Sequence, residues 1–223
     1  MSLDPALFRP EAIDEESRQL IDQLKTMAAA GPAMHTLSPV EARNLRAGTG
    51  RGPGGLPIVY SEHAVIRTIP GPAGEITLRT FVPPRVEGAY LYIHGGGWVL
   101  GTADSNDVRL ETLSNDLNLA VLSVEYRLAP EHPYPAGPDD CEAAALWLAK
   151  NVQSEYGASK LLIGGDSAGA HLAVVSLLRL RDKHGVTSYR GANLGYGVFD
   201  VASTPSTLAW GDDPVILSTA VMR

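Results

Sequence analysis

The amino-acid sequence predicts an α/β protein with a mostly parallel sheet and helices on both faces. Two observations lead to this fold class. Short apolar runs alternate along the chain with longer segments of helical periodicity, and the first two of these runs read as a hairpin. Strands that alternate with helices are joined by right-handed crossovers, which place helices on both faces of the sheet. Because ligands bind at the carboxyl ends of the strands in such sheets, we expect the functional site at that edge.

The hairpin consists of two runs rich in Val, Ile and Thr, residues 64–69 and 76–82, which the turn-forming segment PGPAG joins. The later apolar runs predict buried strands, and the periodic segments between them predict amphipathic helices. The predicted strands are residues 89–94, 120–124, 161–164 and 193–199, and the predicted helices are residues 104–118, 139–152 and 168–184.

An N-terminal region precedes this core. The apolar residues of the segment 13–27 fall on one helical face, which predicts an amphipathic helix. The segment GTGRGPGGLP that follows holds five glycines and two prolines, a composition that resists regular structure. We therefore predict three parts: a helical region at residues 1–47, a Gly/Pro connector at 48–57 and an α/β core at 58–223.

Composition narrows the function classes. The chain has 223 residues, 44% hydrophobic content and a net charge of -7, with no basic run, which argues against nucleic-acid and anionic-membrane partners. No window approaches about 18 uninterrupted apolar residues, and the acidic N-terminus is unlike a secretory signal. The single cysteine, Cys141, cannot form an internal disulfide and fits a reducing compartment. We expect a cytoplasmic protein that acts on a small molecule, with no metal and no cofactor.

The segment KLLIGGDSAG carries the first chemical signal. A short apolar strand leads into Ser167, which lies between Gly165 and Gly169 and begins a helix. This G-x-S-x-G pattern at a strand-to-helix corner is typical of a nucleophilic serine held in a strained backbone conformation. The start of the helix also directs unpaired N–H groups, that of Ala168 among them, at a developing oxyanion.

A run of three glycines after a predicted strand supplies the second signal. Residues 94–98 read HGGGW and lie at the same sheet edge as Ser167. Three glycines in a row let bare backbone N–H groups approach a ligand that side chains would block, and together with the N–H of Ala168 they can form an oxyanion hole. A nucleotide-binding loop is disfavoured, because neither G-x-G-x-x-G spacing nor a following G-K-[ST] is present.

Together with residues 126–136 (YRLAPEHPYPA), these two segments resemble the hormone-sensitive-lipase-like branch of the α/β-hydrolases, in family order and with family-like separations. The resemblance covers the chain from the first helix onward. It implies the α/β-hydrolase fold, with the N-terminal helix as part of a cap over the active site. It also implies a serine carboxylesterase that hydrolyses short to medium acyl esters through an acyl-enzyme.

The resemblance assigns roles residue by residue. It makes Ser167 the nucleophile and Gly95, Gly96 and Ala168 the oxyanion donors. Three further residues support the motifs. His94 and Gly97 belong to residues 94–98, here called the glycine loop, and Asp166 directly precedes the nucleophile. Glu125 stands where many relatives have aspartate, which we interpret as a minor variation.

The chain departs from the family pattern after the nucleophile. In this fold an acid and a histidine base follow the serine, and the family places both on later strands. His171 and His184 follow Ser167, but the first is expected to be a packed helix residue and the second lies at the far end of the same helix. The remaining candidates have weaker contexts: Asp200 after a predicted strand, Asp212 and Asp213 in a turn, Asp139 and Asp140 as helix caps, His132 in a structural turn, and His35 and His63 near the N-terminus.

We therefore expect the terminal strands of the fold to be missing and the chain to be the N-terminal portion of a longer esterase, close to inactive by itself. Loss of the triad histidine alone can reduce turnover by about 10⁶. Two alternatives remain. The same fold without its base serves as a small-molecule receptor in the plant gibberellin receptors, and an amide or formamide hydrolase would use the same residues. A small-molecule ester is the expected partner, and the sequence leaves the oligomeric state open.

Overall fold

The computed structural model describes residues 4, 6, 9–50, 57–211 and 217–222. The chain divides into two compact units, Met1–Pro57 together with Ala202–Arg223, and Ile58–Val201. The helices are α1 (Glu15–Ala29), α2 (Pro39–Thr49), α3 (Asp107–Leu117), α4 (Ala136–Tyr156), α5 (Ala168–His184), α6 (Pro205–Ala209) and α7 (Thr219–Met222). The strands are β1 (Val65–Gly71), β2 (Gly74–Phe81), β3 (Gly88–Ile93), β4 (Leu119–Glu125), β5 (Leu161–Asp166) and β6 (Tyr189–Gly195).

The unit Ile58–Val201 is built on one sheet with the strand order β1-β2-β4-β3-β5-β6. Strand β2 is antiparallel to both β1 and β4, whereas β3, β4, β5 and β6 are mutually parallel where they pair. The predicted hairpin is confirmed, with a tighter turn than expected, because Gly71 pairs with Gly74 and leaves only two residues between them. The prediction of a mostly parallel α/β sheet is therefore confirmed.

Side chains alternate between the two faces of this sheet, and helices cover both faces. One face carries Leu78, Leu91 and Leu122, which pack in a common core with buried residues of α4 and α5. The other face carries Phe81 and Val121, which pack with residues of α3. The near-continuous burial of β3 and β4 follows from this arrangement, since both faces of each strand are covered.

The helix ends follow local signals. Helices α3, α4 and α5 each end at a residue in the left-handed conformation, Asn118, Gly157 and Gly185 respectively. A residue in this conformation turns the chain so that following N–H groups bond to the last helical carbonyls. Glycine adopts this conformation without a steric penalty. The prediction for residues 168–184 agrees with α5 at both ends.

Two predictions about local structure are wrong. The last strand is Tyr189–Gly195 rather than residues 193–199. It starts early because α5 ends at Gly185 and the Tyr189 hydroxyl then donates to the Ala145 carbonyl of α4, 2.9 Å away. It stops at Gly195, after which Tyr196 has a positive φ of 38°. Strand β6 forms one edge of the described sheet, and most of its residues are exposed.

The capping role predicted for Asp139 and Asp140 is also wrong. Helix α4 begins at Ala136, so both residues lie inside it. The Asp140 carboxylate instead accepts three hydrogen bonds from Arg127, one from its backbone N–H at 3.0 Å and two from its guanidinium at 2.8 Å. These contacts join the segment after β4 to α4.

The unit Met1–Pro57 with Ala202–Arg223 contains the predicted amphipathic helix as α1. It also contains α2, which the sequence analysis did not predict. Helix α2 begins at a capping box, in which Ser38 accepts from the Glu41 N–H and the Glu41 carboxylate accepts from the Ser38 N–H. Most of the predicted connector, residues 51–56, lies outside the described residues. No helix that the structure describes is long and apolar enough to cross a membrane.

Candidate active site

Ser167 occupies the sharp corner between β5 and α5 that the G-x-S-x-G pattern predicts. Its backbone has φ 55° and ψ -118°, a conformation that non-glycine residues rarely adopt. The flanking glycines make this corner possible. A Cβ on either Gly165 or Gly169 would collide with the Ile93 carbonyl oxygen at the end of β3. Glycine at both positions therefore lets the corner pack directly on the neighbouring strand.

Backbone hydrogen bonds hold the corner on both sides. The Ser167 N–H donates to the carbonyl oxygen of Gly195, the last residue of β6, at 2.8 Å. The Ser167 carbonyl accepts from the His171 N–H at 3.2 Å, which closes the first turn of α5. The serine is thus fixed between two elements, with its side chain half-buried at the carboxyl edge of the sheet.

The glycine loop lies against this corner. A Cβ on Gly95 would fall 3.5 Å from the Ser167 Cβ and 2.7 Å from the Asp166 carbonyl oxygen. A side chain at Gly95 would therefore push the loop away from the serine. Gly96 and Gly97 both have positive φ, 123° and 61°, which an L-residue with a side chain disfavours.

The N–H groups of the predicted oxyanion donors are unpaired in the part of the chain that the structure describes. Within the described parts of the chain, no hydrogen-bond acceptor faces the backbone N–H of Gly95, Gly96 or Ala168. The Gly96 carbonyl, in contrast, accepts from the N–H groups of Val99 and Leu100, which turns the loop back on itself. Unpaired donors around a half-buried serine are the arrangement that a tetrahedral oxyanion needs.

The buried His94 side chain stabilises the conformation of the glycine loop. Its Nδ1 lies 2.8 Å from the Gly95 carbonyl oxygen, and its ring stacks on Tyr126 with centroids 4.3 Å apart. The Tyr126 hydroxyl donates to the His94 carbonyl oxygen at 3.0 Å. Burial lowers the pKa of His94 to about 4, so the imidazole is neutral near pH 7 and its Nδ1–H donates to Gly95.

The described structure places no histidine side chain in hydrogen-bond contact with the Ser167 hydroxyl. His171 packs edge-on against Trp98, with ring centroids 5.3 Å apart, and desolvation lowers its pKa. The His184 Nε2–H donates to the Glu142 carboxylate at 2.8 Å, and Arg179 and Lys183 contact the same carboxylate. His171 thus packs as a helix residue, and His184 pairs with Glu142 rather than with Ser167.

The candidate acids lie in several places. The Asp166 carboxylate accepts hydrogen bonds from Tyr92 on β3 and from Arg109 on α3. Asp200 follows the end of β6, and Asp212 and Asp213 lie outside the described residues. Glu125 at the end of β4 accepts from the Ala103 N–H at 2.6 Å, and burial raises its pKa. Among the described residues, no group of three or more His, Cys, Asp or Glu is arranged to hold a metal ion.

The polar partners of Asp166 were not predicted from the sequence. Tyr92 lies on β3 and Arg109 on α3, 74 and 57 positions before Asp166. Asn106 directly precedes α3 and donates to Tyr92. The one available signal was the i and i+3 spacing of Asn106 and Arg109 on a predicted helix, which does not by itself identify the residue that they face.

The chain is similar in sequence to known proteins. A family model described as alpha/beta hydrolase fold matches residues 90–223. Among curated proteins, the carboxylic ester hydrolase LipN of Mycobacterium tuberculosis is 43% identical over 120 residues, which cover 52% of this chain and 32% of that protein. The acetyl esterase of Salmonella paratyphi B is 36% identical over 119 residues, 52% of this chain and 36% of that protein. The chain thus spans about a third of the length of these relatives.

Solved structures share the fold at greater coverage. An ester-hydrolase from the metagenome of Lake Arreo, complexed with a derivative of bipyridine phosphonate, has a TM-score of 0.78 and 31% identity over 94% of this chain and 68% of that chain. A hyperthermophilic esterase from Pyrobaculum calidifontis has a TM-score of 0.74 and 29% identity, covering 100% of this chain and 68% of that one. This chain therefore belongs to the α/β-hydrolases, in the hormone-sensitive-lipase-like esterase branch that its motifs resemble.

Proposed function

We propose that this chain carries the nucleophile and the oxyanion hole of a serine carboxylesterase. The observation that carries the proposal is the approach of Gly95 to Ser167, since it brings free N–H groups beside a strained, half-buried serine. Ser167 is the proposed nucleophile, and Gly95, Gly96 and Ala168 are the proposed oxyanion donors.

In the proposed reaction, the Ser167 oxygen attacks the carbonyl carbon of the ester and its proton passes to a base. The carbonyl oxygen becomes an oxyanion and is stabilised by the N–H groups of Gly95, Gly96 and Ala168. The C–O bond to the alcohol then breaks, the alcohol leaves with a proton and an acyl-enzyme remains. Water attacks the acyl carbon and releases the acid, which restores the serine hydroxyl.

Esters of short to medium acyl chains are the proposed substrates. Two of the curated relatives are named carboxylic ester hydrolase and acetyl esterase, and each is similar to this chain over about half of its length. The family match, residues 90–223, includes the glycine loop and the serine corner. The N-terminal helical region, residues 1–47, is proposed as part of a cap of the site, as the family resemblance implies.

The test separates acylation from turnover, because no histidine among the described residues contacts Ser167. An activated aryl phosphonate forms a P–O bond with the serine oxygen and releases its phenol, so the labelled residue is read by mass spectrometry. We expect labelling at Ser167, none in Ser167→Ala, and full labelling in the exposed-serine control Ser154→Ala. Equal labelling of the protein and Ser167→Ala would refute the assignment of the nucleophile.

Turnover is measured in parallel with nitrophenyl esters of increasing acyl length. A rate that falls in Ser167→Ala and is highest for short to medium chains supports an esterase, and the matching anilides distinguish an amide hydrolase. A non-catalytic receptor predicts a different outcome. It would bind the esters without labelling at Ser167, and Ser167→Ala would leave its affinity unchanged.

A further inference from the structure

The carboxylate of Asp166, directly before the proposed nucleophile, is held from two elements. Its Oδ2 accepts from the Tyr92 hydroxyl of β3 at 2.9 Å and from the Arg109 Nη2 of α3 at 2.5 Å. The Asp166 side chain is 18% exposed, whereas that of Arg109 is 51% exposed. A mostly buried carboxylate that binds a guanidinium and a phenol has its orientation strongly restricted, because charge-assisted hydrogen bonds are the strong ones.

Tyr92 is itself fixed in place. The Asn106 Nδ2 donates to its hydroxyl oxygen at 2.9 Å, and the Arg109 guanidinium lies 5.2 Å from the centre of its ring. Burial raises the pKa of Tyr92 far above its usual range, and the negative charge of Asp166 is the second-largest cause. The phenol therefore keeps its proton. A protonated phenol that accepts from Asn106 can donate only to Asp166.

The same carboxylate touches the strand that binds the serine. The Asp166 Oδ1 would lie 2.8 Å from a Cβ on Gly195, so the carboxylate packs directly on that glycine. The Gly195 carbonyl accepts the Ser167 N–H. Movement of the Asp166 side chain would therefore disturb both the residue before the nucleophile and the acceptor of its N–H.

We propose that Arg109 and Asp166, with Tyr92, form a positioning network that holds the strained backbone of Ser167 in its reactive conformation. This inference rests on the proposed function of Ser167 as a nucleophile. None of the three side chains is assigned contact with the substrate. They act through the backbone of the corner, and Arg109 is the member that can be changed with least disturbance because half of its side chain is in water.

The accessible position of Arg109 permits a chemical rescue experiment. About half of the Arg109 side chain is exposed, so a small cation can reach the space that its removal vacates. We expect Arg109→Ala to lower the maximal rate of phosphonate labelling at Ser167 about 10-fold, with little change in the half-saturating concentration. Guanidinium chloride below denaturing concentrations should restore much of the rate, whereas sodium chloride at equal ionic strength should not.

Two further variants keep the test informative if Arg109→Ala folds poorly. Asp166→Asn preserves shape but replaces the charged acceptor, and Arg109→Lys keeps the charge without the forked donor geometry. We expect both to label Ser167 more slowly than the unmodified protein. The control is Arg85→Ala, which removes the exposed Arg85–Glu87 ion pair and should label at the unmodified rate.

Hydrogen exchange gives a readout that does not depend on reactivity. In Arg109→Ala, the Ser167 amide should exchange about 10-fold faster, while core amides such as those of Leu91 and Leu122 keep their rates. Uniform acceleration of all three amides would show a general loss of stability and overturn the proposal. Unchanged labelling and unchanged Ser167 exchange would overturn it as well. If Ser167→Ala labels like the unmodified protein, the nucleophile assignment fails, and the exchange data alone decide whether the network positions the corner.

Discussion

Gly169 packs directly on the carbonyl oxygen of Ile93, at the point where α5 crosses the end of β3. A Cβ on Gly169 would overlap this oxygen sterically and would lie 2.7 Å from the His94 carbonyl oxygen. Both obstacles are backbone atoms, which cannot rotate away. The close approach brings the serine corner and the glycine loop together at one edge of the sheet.

We therefore expect Gly169→Ala to destabilise the fold by about 3 kcal/mol or more, because the clash is with backbone in a packed core. The free energy of unfolding is measured by urea titration. Gly48→Ala is the control, since Gly48 lies within α2 with no atom near its Cβ position, and alanine there should maintain or raise stability. A Gly169→Ala protein as stable as the unmodified one would contradict the packing described here.

His94 should make stability depend on pH. Its folded pKa, about 4, lies below the value of about 6.5 for an exposed histidine, so between these two values the unfolded chain binds more protons. Unfolding is therefore favoured as the pH falls from about 6.5 to 4, with a loss on the order of 3 kcal/mol across this window.

The pH dependence is measured as the urea midpoint at several pH values, with His94→Gln as the comparison. Burial raises the pKa of Glu125, which acts in the opposite direction, so only the difference between the two proteins isolates His94. The difference in free energy of unfolding between the unmodified protein and His94→Gln should shrink as the pH falls. A constant difference from pH 7 to pH 4.5 would show that His94 does not titrate with a lowered pKa.

The contact between Arg127 and Asp140 should contribute measurably to stability. The Asp140 side chain is 3% exposed, and in Asp140→Asn the new amide group would face donors of Arg127. We expect a loss of about 2 kcal/mol, because a buried partner is left without its hydrogen bonds. Glu87→Gln breaks an exposed ion pair with Arg85 and should change the free energy of unfolding by less than about 0.5 kcal/mol. Similar losses in the two variants would argue against this contribution.

The capping box of α2 should set the start of that helix. Ser38→Ala removes the acceptor for the Glu41 N–H, and we expect the first turn of α2 to lose about 1 kcal/mol of local stability. Faster amide exchange at Glu41 would report this loss. Ser38→Asp retains an acceptor at the cap and serves as the matched control, and equal exchange in both variants would count against the capping box.

Much of the fold follows from patterns that are local in the chain. The α5 helix was predicted with its observed ends, because a serine corner starts it and Gly185 ends it. The cap of α2, Ser38 followed by Pro39 and Glu41, was an equally local signal, but it was not used to predict a helix. Local signals of this kind depend only on a residue and its near neighbours, so the sequence contains them in full.

Contacts between segments that are distant in the chain cannot be predicted from such local signals. The sequence does not show that Asp140 faces Arg127 rather than capping α4, or that the Tyr189 hydroxyl reaches α4 and starts β6 earlier than the apolar pattern indicates. Each depends on which strands become neighbours and on the register between them.

The sequence by itself therefore determined the α/β class, the order of the helices and strands in the unit Ile58–Val201, and the two glycine-rich segments that flank the proposed site. Only the tertiary structure decided how these segments meet. It is the parallel pairing of β3 with β5 that brings Gly95 against Ser167, and the pairing of β5 with β6 that supplies the Gly195 carbonyl to the Ser167 N–H. The positions of Arg109 and Tyr92 around Asp166 arise in the same way, because side chains far apart in sequence become neighbours only when the sheet and α3 pack together.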